Sequence, residues 1–336
     1  MTLQNRLNAF IKLEQYLQSK SSELQQKIAL TVQHNSWFTE ESVNLAIDGI
    51  CYMLKKEYLE KWISQYSLSE ENPKRIGAIF AGNIPLVGFH DLLAVLISGN
   101  TLVAKLSSQD TQLIPHICQK LIEFDAEFKK HIQFVERLND VDAVIATGSD
   151  NSARYFEYYF GKYPHIIRKN RTSVAILKGE ESADQLQELG QDIFQYYGLG
   201  CRNVSKIYVP IGYKFDTFFK ALEKYNGVIN HHKYRNNYDY NKSIYLVNKV
   251  THLDNGFLLL TENDQLVSPI SVLYYEEYRE TEDLQMKIES NREKIQCIVG
   301  DKSAHEDIVP FGKAQKPELW DYADDVDTIK FLQSLN

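Results

Sequence analysis

The chain has 336 residues and a formal net charge of −8 at pH 7. Hydrophobic residues make up 43% of it and charged residues 24%, which provides a sizeable core for one large or two medium domains. The acidic balance argues against a nucleic-acid-binding surface. No run of about 18 apolar residues indicates a membrane span. The first residues lack the apolar stretch of a signal peptide, so we expect a cytoplasmic protein.

The chain contains four widely spaced cysteines, at Cys51, Cys118, Cys201 and Cys297. None forms a CxxC pair, so neither a zinc site nor a thioredoxin-like motif is indicated. We expect free thiols in a reducing compartment. His231 and His232 have no acidic or cysteine partner at ligand spacing, and we expect no metal.

Helices are predicted first. Apolar residues recur at helical spacing over 3–34, and Thr39 is a predicted N-cap of a helix that reaches Trp62. From Lys74 onward, predicted strands at 76–81, 101–105, 132–135, 141–146 and 173–177 alternate with helices at 86–98, 110–124 and 150–160. This alternation predicts an α/β fold with a parallel, doubly wound sheet, which binds ligands beyond the carboxyl ends of its strands.

A second α/β region starts near Ser182. We predict helices at 182–198, 215–225, 281–290 and 324–335, strands at 204–209, 244–247, 257–260, 266–275 and 295–299, and a polar loop at 230–241. The predicted division has an N-terminal helical segment, 1–73, packed on the cofactor domain. A dinucleotide-binding domain (74–180), a catalytic domain (181–312) and a C-terminal segment (313–336) follow.

Cys201 lies on a predicted tight turn between a helix and a strand. Gly198 and Gly200 suit the end of a helix, and the alternating, β-branched stretch that begins at Val204 suits a strand. The thiol and the amide of Cys201 could both face a reacting carbonyl. A buried structural thiol is the alternative, and the local sequence leaves both open.

Four short motifs occur in a defined order. An Asn-x-Pro at Asn83 comes first, then Gly-Asn-Thr-Leu-Val-Ala-Lys ending at Lys105, Thr-Gly-Ser at 147–149, and Gly-x-Gly-Cys at Cys201. Over residues 74–335 the chain resembles the aldehyde dehydrogenase superfamily. It is most similar to the acyl-CoA reductase branch, the family of the reductase subunit in the fatty-acid reductase complex of luminous bacteria. No GxGxxG, Walker or GxSxG motif is present.

The resemblance implies an aldehyde-dehydrogenase-like fold, with a doubly wound cofactor domain and an α/β catalytic domain. It implies that Cys201 is the nucleophile and that the Asn83 amide stabilises the oxyanion. The implied cofactor-binding residues are Lys105, Ser108, Thr147, Gly148, Ser149, Pro269 and Phe311.

Three positions depart from the superfamily pattern. Arg168 falls where the superfamily has the glutamate that activates water, so we expect weak hydrolysis of an acyl-enzyme. Gln265 replaces the ribose-binding glutamate. Ser108 replaces the acid of many NAD-preferring members, so NADPH is as acceptable as NADH. The oligomerisation hairpin and tail look reduced, which leaves a homo-oligomer open.

The resulting functional hypothesis is the reduction of an acyl-CoA, with fatty acyl as the expected class, to an aldehyde. NADPH or NADH would be the cofactor and an acyl-cysteine the intermediate. The resemblance also implies an acyl-transferring synthetase as a partner. Two alternatives are an acyl-phosphate reductase and a non-catalytic dehydrogenase-fold scaffold.

Overall fold

The computed structural model describes residues 1–68, 72–303 and 307–335. Contacts within the chain divide it into two compact units. The first unit contains Met1–Asn170 and Glu318–Asn336, and the second contains Arg171–Pro317. Each unit is built around one β-sheet. No helix in the described ranges has the length and apolar character to cross a bilayer.

Four helices open the first unit: α1 (Leu3–Gln18), α2 (Ser22–His34), α3 (Glu40–Met53) and α4 (Lys56–Ile63). The predicted helix over 3–34 is broken, because Lys20 adopts a left-handed φ of 48° and Ser21 caps α2. Thr39 caps α3 as predicted, in a reciprocal capping box with Ser42. The helix that it begins stops at Met53 instead of reaching Trp62.

The sheet of the first unit has five parallel strands: β1 (Arg75–Ile79), β2 (Thr101–Lys105), β3 (Ile132–Phe134), β4 (Ala143–Thr147) and β5 (His165–Arg168). Their spatial order is β3-β2-β1-β4-β5, so the chain winds outward from β1 in both directions. The connecting helices are α5 (Phe89–Ile97), α6 (Leu113–Phe124) and α7 (Asp150–Phe160). The predicted doubly wound sheet is therefore confirmed.

The second unit has seven strands: β6 (Thr172–Ile176), β7 (Val204–Pro210), β8 (Leu253–Asp254), β9 (Leu259–Glu262), β10 (Val272–Tyr278), β11 (Ile295–Val299) and β12 (Ile308–Val309). Their order is β12-β11-β6-β7-β10-β9-β8, and only β8 and β9 pair antiparallel. Its helices are α8 (Ala183–Phe194), α9 (Asp216–Leu222), α10 (His232–Val247) and α11 (Thr281–Glu289). Strand β6, which the predicted bounds place in segment 74–180, is hydrogen-bonded into this second sheet.

The predicted loop at 230–241 and strand at 244–247 are wrong, because residues 232–247 form the single helix α10. Its buried face consists of Tyr234, Tyr238 and Asn241, which are too polar to show a hydrophobic period. The hydroxyl of Tyr234 donates to the carbonyl of Phe257 at 3.0 Å, and that of Tyr238 donates to Asp254 at 2.6 Å. Tertiary hydrogen bonds therefore stabilise a helix that the local sequence conceals.

The residues after Pro317 return to the first unit. The indole of Trp62 donates to the hydroxyl of Tyr322 at 2.6 Å, and Tyr66 donates to Asp327 at 2.9 Å. The last helix, α12 (Thr328–Gln333), is shorter than the predicted 324–335. It starts late because Asp324 is left-handed, and Asp327 is its N-cap.

Candidate active site

Three predicted site residues lie along the carboxyl edge of the first sheet. Ile79, at the end of β1, is paired with Lys105 on one side and with Ala146 on the other. Lys105 is thus the last residue of β2 and Thr147 the last of β4, while Asn83 follows β1 by four residues. This edge is where doubly wound sheets bind their ligands.

The Asn83 loop is packed tightly and held by a buried carboxylate. A Cβ atom on Gly82 would lie 2.6 Å from the Ser107 hydroxyl, so this loop touches the loop after Lys105 where only glycine fits. Leu86 adopts a left-handed φ of 57°, and its amide donates to Asp110 at 2.9 Å. Burial raises the pKa of the Asp110 carboxyl. Such a strained backbone position is typical of functional loops.

The segment that contains Ser108 is fixed by the end of α2. The imidazole Nε2 of His34 donates to the Ser108 carbonyl at 2.8 Å, and the Asn35 amide donates to the Gln109 carbonyl at 3.2 Å. The Ser108 side chain itself is exposed. A group that binds beside Lys105 could therefore reach Ser108.

Thr147, Gly148 and Ser149 form the turn into α7. The hydroxyl of Ser149 caps the helix by accepting the Ser152 amide at 3.3 Å. A Cβ atom on Gly148 would lie 2.8 Å from that of Ser152, so the turn excludes a side chain there. A helix N-terminus with hydroxyl groups beside it suits an anionic ligand.

Arg168, at the end of β5, is 5% exposed and ion-paired. It contacts Asp91 of α5 at 2.5 Å and donates to the Thr328 hydroxyl at 3.1 Å. A guanidinium held in this way cannot take a proton from water. Glu157 is paired with Lys169, the residue after Arg168 in the chain, at 3.0 Å.

Cys201 differs from the other three cysteines in its exposure. It is partly exposed, whereas Cys51, Cys118 and Cys297 are buried. Burial raises the pKa of Cys51 to about 12 and also raises the pKa of Cys118 and of Cys297. These three thiols are therefore poor nucleophiles. Ser173 donates its hydroxyl to the Cys201 carbonyl at 3.1 Å, which anchors the turn on β6.

The turn before Cys201 differs from its prediction. Helix α8 ends at Phe194, ahead of both glycines, and the residues that reverse the chain are left-handed. Their φ angles are 53° at Tyr196, 59° at Tyr197 and 78° at Gly198, whereas Gly200 is not left-handed. Two consecutive non-glycine residues in this conformation cost roughly 1–3 kcal/mol each.

The side chain of Asn203 holds this turn together, and the sequence reasoning missed it. It is 3% exposed, and its oxygen accepts the Gly200 amide at 2.8 Å. Its nitrogen donates to the carbonyls of Asp192, Ile193 and Gln195 at 3.0, 3.3 and 2.8 Å. A polar side chain so fully bonded fixes the backbone on both sides of Cys201.

The Phe311 loop is joined to the same turn within the second unit. The Phe311 ring is 4% exposed. The following amides of Gly312 and Ala314 donate to the Asp192 carboxylate at 2.7 and 3.0 Å. The Arg202 guanidinium donates to the Ala314 carbonyl at 3.2 Å, so at least part of its charge is directed at this loop.

A cavity of about 40 Å³ lies behind the Cys201 turn. One wall comes from the turn itself, including Tyr197 and Asn203, and another comes from the segment Ser268–Val272, which contains Pro269. Tyr234 also lines it. The structure thereby brings Pro269 together with the Cys201 turn. Gln265 lies exposed in the loop before β10.

Comparison with known families identifies the chain. A family model described as acyl-CoA reductase (LuxC) matches residues 9–223. The chain belongs to this acyl-CoA reductase family. No curated protein matches it. No group of three or more His, Cys, Asp or Glu side chains within the described ranges could hold a metal ion.

Solved structures place this family member in the aldehyde dehydrogenase fold. Aldehyde dehydrogenase 21 from Physcomitrella patens, in complex with succinate, aligns with a TM-score of 0.72 at 12% identity, over 100% of this chain and 84% of its own. The NAD⁺ complex of an aldehyde dehydrogenase from Bacillus cereus aligns with a TM-score of 0.66 at 17% identity, over 89% and 72%. A mutant of the P. syringae indole-3-acetaldehyde dehydrogenase, in complex with NAD⁺ and IAA, aligns with a TM-score of 0.69 at 15% identity, over 91% of this chain and 74% of its own.

Family and fold together indicate an oxidoreductase with an aldehyde-dehydrogenase-like fold. The predicted site residues divide between its two units. Asn83, Lys105, Ser108 and the 147–149 turn lie at the carboxyl edge of the first sheet, and Cys201, Pro269 and Phe311 belong to the second unit. Their roles remain those that the resemblance implies.

Proposed function

We propose that this protein reduces an acyl-CoA thioester to an aldehyde with a nicotinamide cofactor, through an acyl group carried on Cys201. The observation that carries the proposal is the partial exposure of Cys201. In a member of an acyl-CoA reductase family, it is the one cysteine that is not buried. It also lies on a turn whose backbone is fixed by Ser173 and Asn203.

The Cys201 thiolate would attack the acyl carbonyl and form a thioester with it, while the coenzyme A thiolate leaves. The Asn83 amide and the Cys201 main-chain N–H would donate to the oxygen that becomes negative during this attack. One such donor is worth roughly 3–4 kcal/mol of barrier. When the Cys201 thiolate leaves again after reduction, the aldehyde is released and the enzyme is restored.

The residues at the edge of the first sheet fit a nicotinamide dinucleotide. Lys105 offers a cation, Ser107 and Ser108 offer hydroxyl groups, and the N-terminus of α7 suits a pyrophosphate. The bound nicotinamide would supply the hydride that reduces the acyl group. Because Ser108 is neutral, it would not repel a 2′-phosphate, and we expect NADPH to bind at least as well as NADH.

The acyl-enzyme should resist water. The position expected for the water-activating glutamate holds Arg168, which is paired with Asp91 and carries no basic lone pair. The acyl group would therefore leave Cys201 only by reduction or by return to coenzyme A. This property distinguishes a reductase from an ordinary aldehyde dehydrogenase or a thioesterase.

The test is to mix the protein with acyl-CoA in the absence of nicotinamide. We expect release of about one equivalent of coenzyme A per site, followed by a near stop, with the acyl group found on Cys201 by mass spectrometry. Cys201→Ala should abolish this burst, whereas Cys51→Ala, at a buried thiol of the first unit, should retain it. Addition of NADPH should then yield aldehyde.

Three results would replace this proposal with another function. Continuing release of free acid would indicate a thioesterase or aldehyde dehydrogenase. Turnover of acyl phosphates with inert acyl-CoA would change the substrate class. A fully active Cys201→Ala variant would show that Cys201 is not the nucleophile. Delivery of the acyl group by a synthetase and formation of a homo-oligomer remain predictions.

A further inference from the structure

Asp192 is a buried carboxylate that the proposed chemistry does not use. It lies on α8 with 0% of its surface exposed, on the face that also buries Leu189 and Ile193. A carboxylate in such surroundings is costly unless it is hydrogen-bonded. The contacts of Asp192 therefore indicate what its charge does.

Both oxygens of the carboxylate are bound to one loop. Oδ2 accepts the Gly312 amide at 2.7 Å and Oδ1 accepts the Ala314 amide at 3.0 Å. The main-chain carbonyl of Asp192 accepts the side chain of Asn203 at 3.0 Å. Asp192 thus bonds the loop after Phe311 through its side chain and the Cys201 turn through its backbone.

A second hydrogen bond also joins the Cys201 turn to the loop after Phe311. Arg202, directly after Cys201, donates to the Ala314 carbonyl at 3.2 Å. The backbone of this loop also packs closely against α8. Gly312 has a left-handed φ of 74°, and a Cβ atom there would lie 3.1 Å from Cβ of Glu188. This close approach lets two main-chain amides, separated by Lys313, donate to a single carboxylate.

Only a carboxylate satisfies this arrangement fully. Both groups that face it are N–H donors, so the side chain must offer two acceptor oxygens. Asparagine has the same shape but would turn an NH₂ group toward one of the two amides. The loop amide opposite that group would then be buried without an acceptor.

We propose that Asp192 is a positioning residue that fixes the Phe311 loop against the Cys201 turn. The inference rests on the proposed function, in which the resemblance places Phe311 beside the cofactor and Cys201 beneath the acyl group. Asp192 then governs how the acyl-enzyme is presented for reduction. It has no role in the attack of Cys201 on acyl-CoA.

The charge of Asp192 changes with pH, which gives a second way to test its role. Burial raises the pKa of Asp192 to about 7, while the two amide bonds and Lys316 oppose the rise and Glu188 adds to it. Three other titratable or charged groups belong to the same electrostatic environment. The charge of Asp192 acts on Tyr225 and on Cys297, and the charge of Arg202 also acts on Cys297. A proton on one carboxylate oxygen prevents that oxygen from accepting its loop amide. Both hydrogen bonds to Gly312 and Ala314 are therefore present only above this pKa.

The experiment compares wild type with Asp192→Asn, and uses Asp184→Asn, at an exposed position of the same helix, as the matched control. Amide hydrogen exchange is measured over 311–314 in the protein alone. The burst of coenzyme A and the single-turnover reduction of the acyl-enzyme are measured with acyl-CoA and NADPH. Reduction is followed from pH 6 to pH 8.

We expect Asp192→Asn to accelerate exchange at Gly312 and Ala314 and to slow reduction, each by roughly tenfold or more, since a bond to a charged group is lost. The burst amplitude should not change. In wild type, reduction should rise with pH through about 7, and this rise should be absent in Asp192→Asn. Asp184→Asn should match wild type throughout.

Unchanged exchange over 311–314, or a slowed burst with normal reduction, would overturn the inference. If Asp192→Asn fails to fold, Gly312→Ala provides the second variant, because it strains the loop and leaves the carboxylate in place. It should give the same split between burst and reduction. An absent burst in wild type would refute the proposed function instead. The exchange measurement would still show whether Asp192 holds the loop at 311–314.

Discussion

The strongest prediction concerns Asn203, which has no contact with substrate in the proposed chemistry. Asn203→Ala removes one acceptor, which serves the Gly200 amide, and two donor hydrogens, which serve the carbonyls of Asp192, Ile193 and Gln195. Three hydrogen bonds at about 1 kcal/mol each give a destabilisation of about 3 kcal/mol. The loss falls on the turn that carries Cys201.

The choice of probe follows from where the aromatic residues lie. All three tryptophans, Trp37, Trp62 and Trp320, belong to the first unit, and none belongs to the second. Native-state hydrogen exchange at the amides of β7 is the suitable measurement for unfolding of the second unit. A loss of about 3 kcal/mol should accelerate exchange there by about 100-fold.

Two comparisons make the result decisive. Asn236→Ala, at an exposed position of α10, should change neither exchange nor acylation of Cys201. Asn203→Ala should also slow acylation, because the backbone on both sides of the nucleophile loses its supports. Exchange and acylation that both stay within twofold of wild type would show that the turn holds its shape without Asn203.

Four further predictions concern other residues. Asn83→Ala should lower kcat by roughly 100-fold or more with little change in Tm, whereas a large fall in Tm with normal kcat would limit Asn83 to a structural role. Ser108→Glu should shift preference from NADPH toward NADH in binding titrations, and unchanged selectivity would contradict the alignment. Arg168→Met should cost about 3–5 kcal/mol in urea unfolding, because Asp91 is left buried without its partner, and it should not create hydrolysis of the acyl-enzyme. Because burial raises the pKa of Asp192 from 3.8 to about 7, wild-type stability should fall as pH rises between these values, and Asp192→Asn should remove that slope in unfolding measured across the range.

The fold was predictable because its signals are local. Apolar strands that end in glycine-containing or polar turns identified the doubly wound sheet, and the order of Asn83, Lys105, the 147–149 turn and Cys201 identified the family. Strand β5 was not predicted, although Arg168 at its end was singled out. The expected hydrophobic pattern is short there and runs into a charged segment.

The supports of the Cys201 turn were not predictable in the same way. Asp192 and Asn203 are polar residues whose partners are backbone groups, some of them more than a hundred residues away. One signal was present, since Asp192 occupies the apolar face of a helix between Leu189 and Ile193. A charge on such a face indicates a buried hydrogen-bond network, but its partners depend on tertiary structure.

The return of residues 318–335 to the first unit sets an order of events during synthesis on the ribosome. Trp62, Tyr66 and Arg168 are made early, yet their partners Tyr322, Asp327 and Thr328 emerge only after the whole second unit. The second unit is contiguous in the chain and has all of its strands before the first unit is complete. The first unit can therefore complete its packing only after the second unit has been synthesised, and we expect the sites that bind Tyr322, Asp327 and Thr328 to stay unfilled until then.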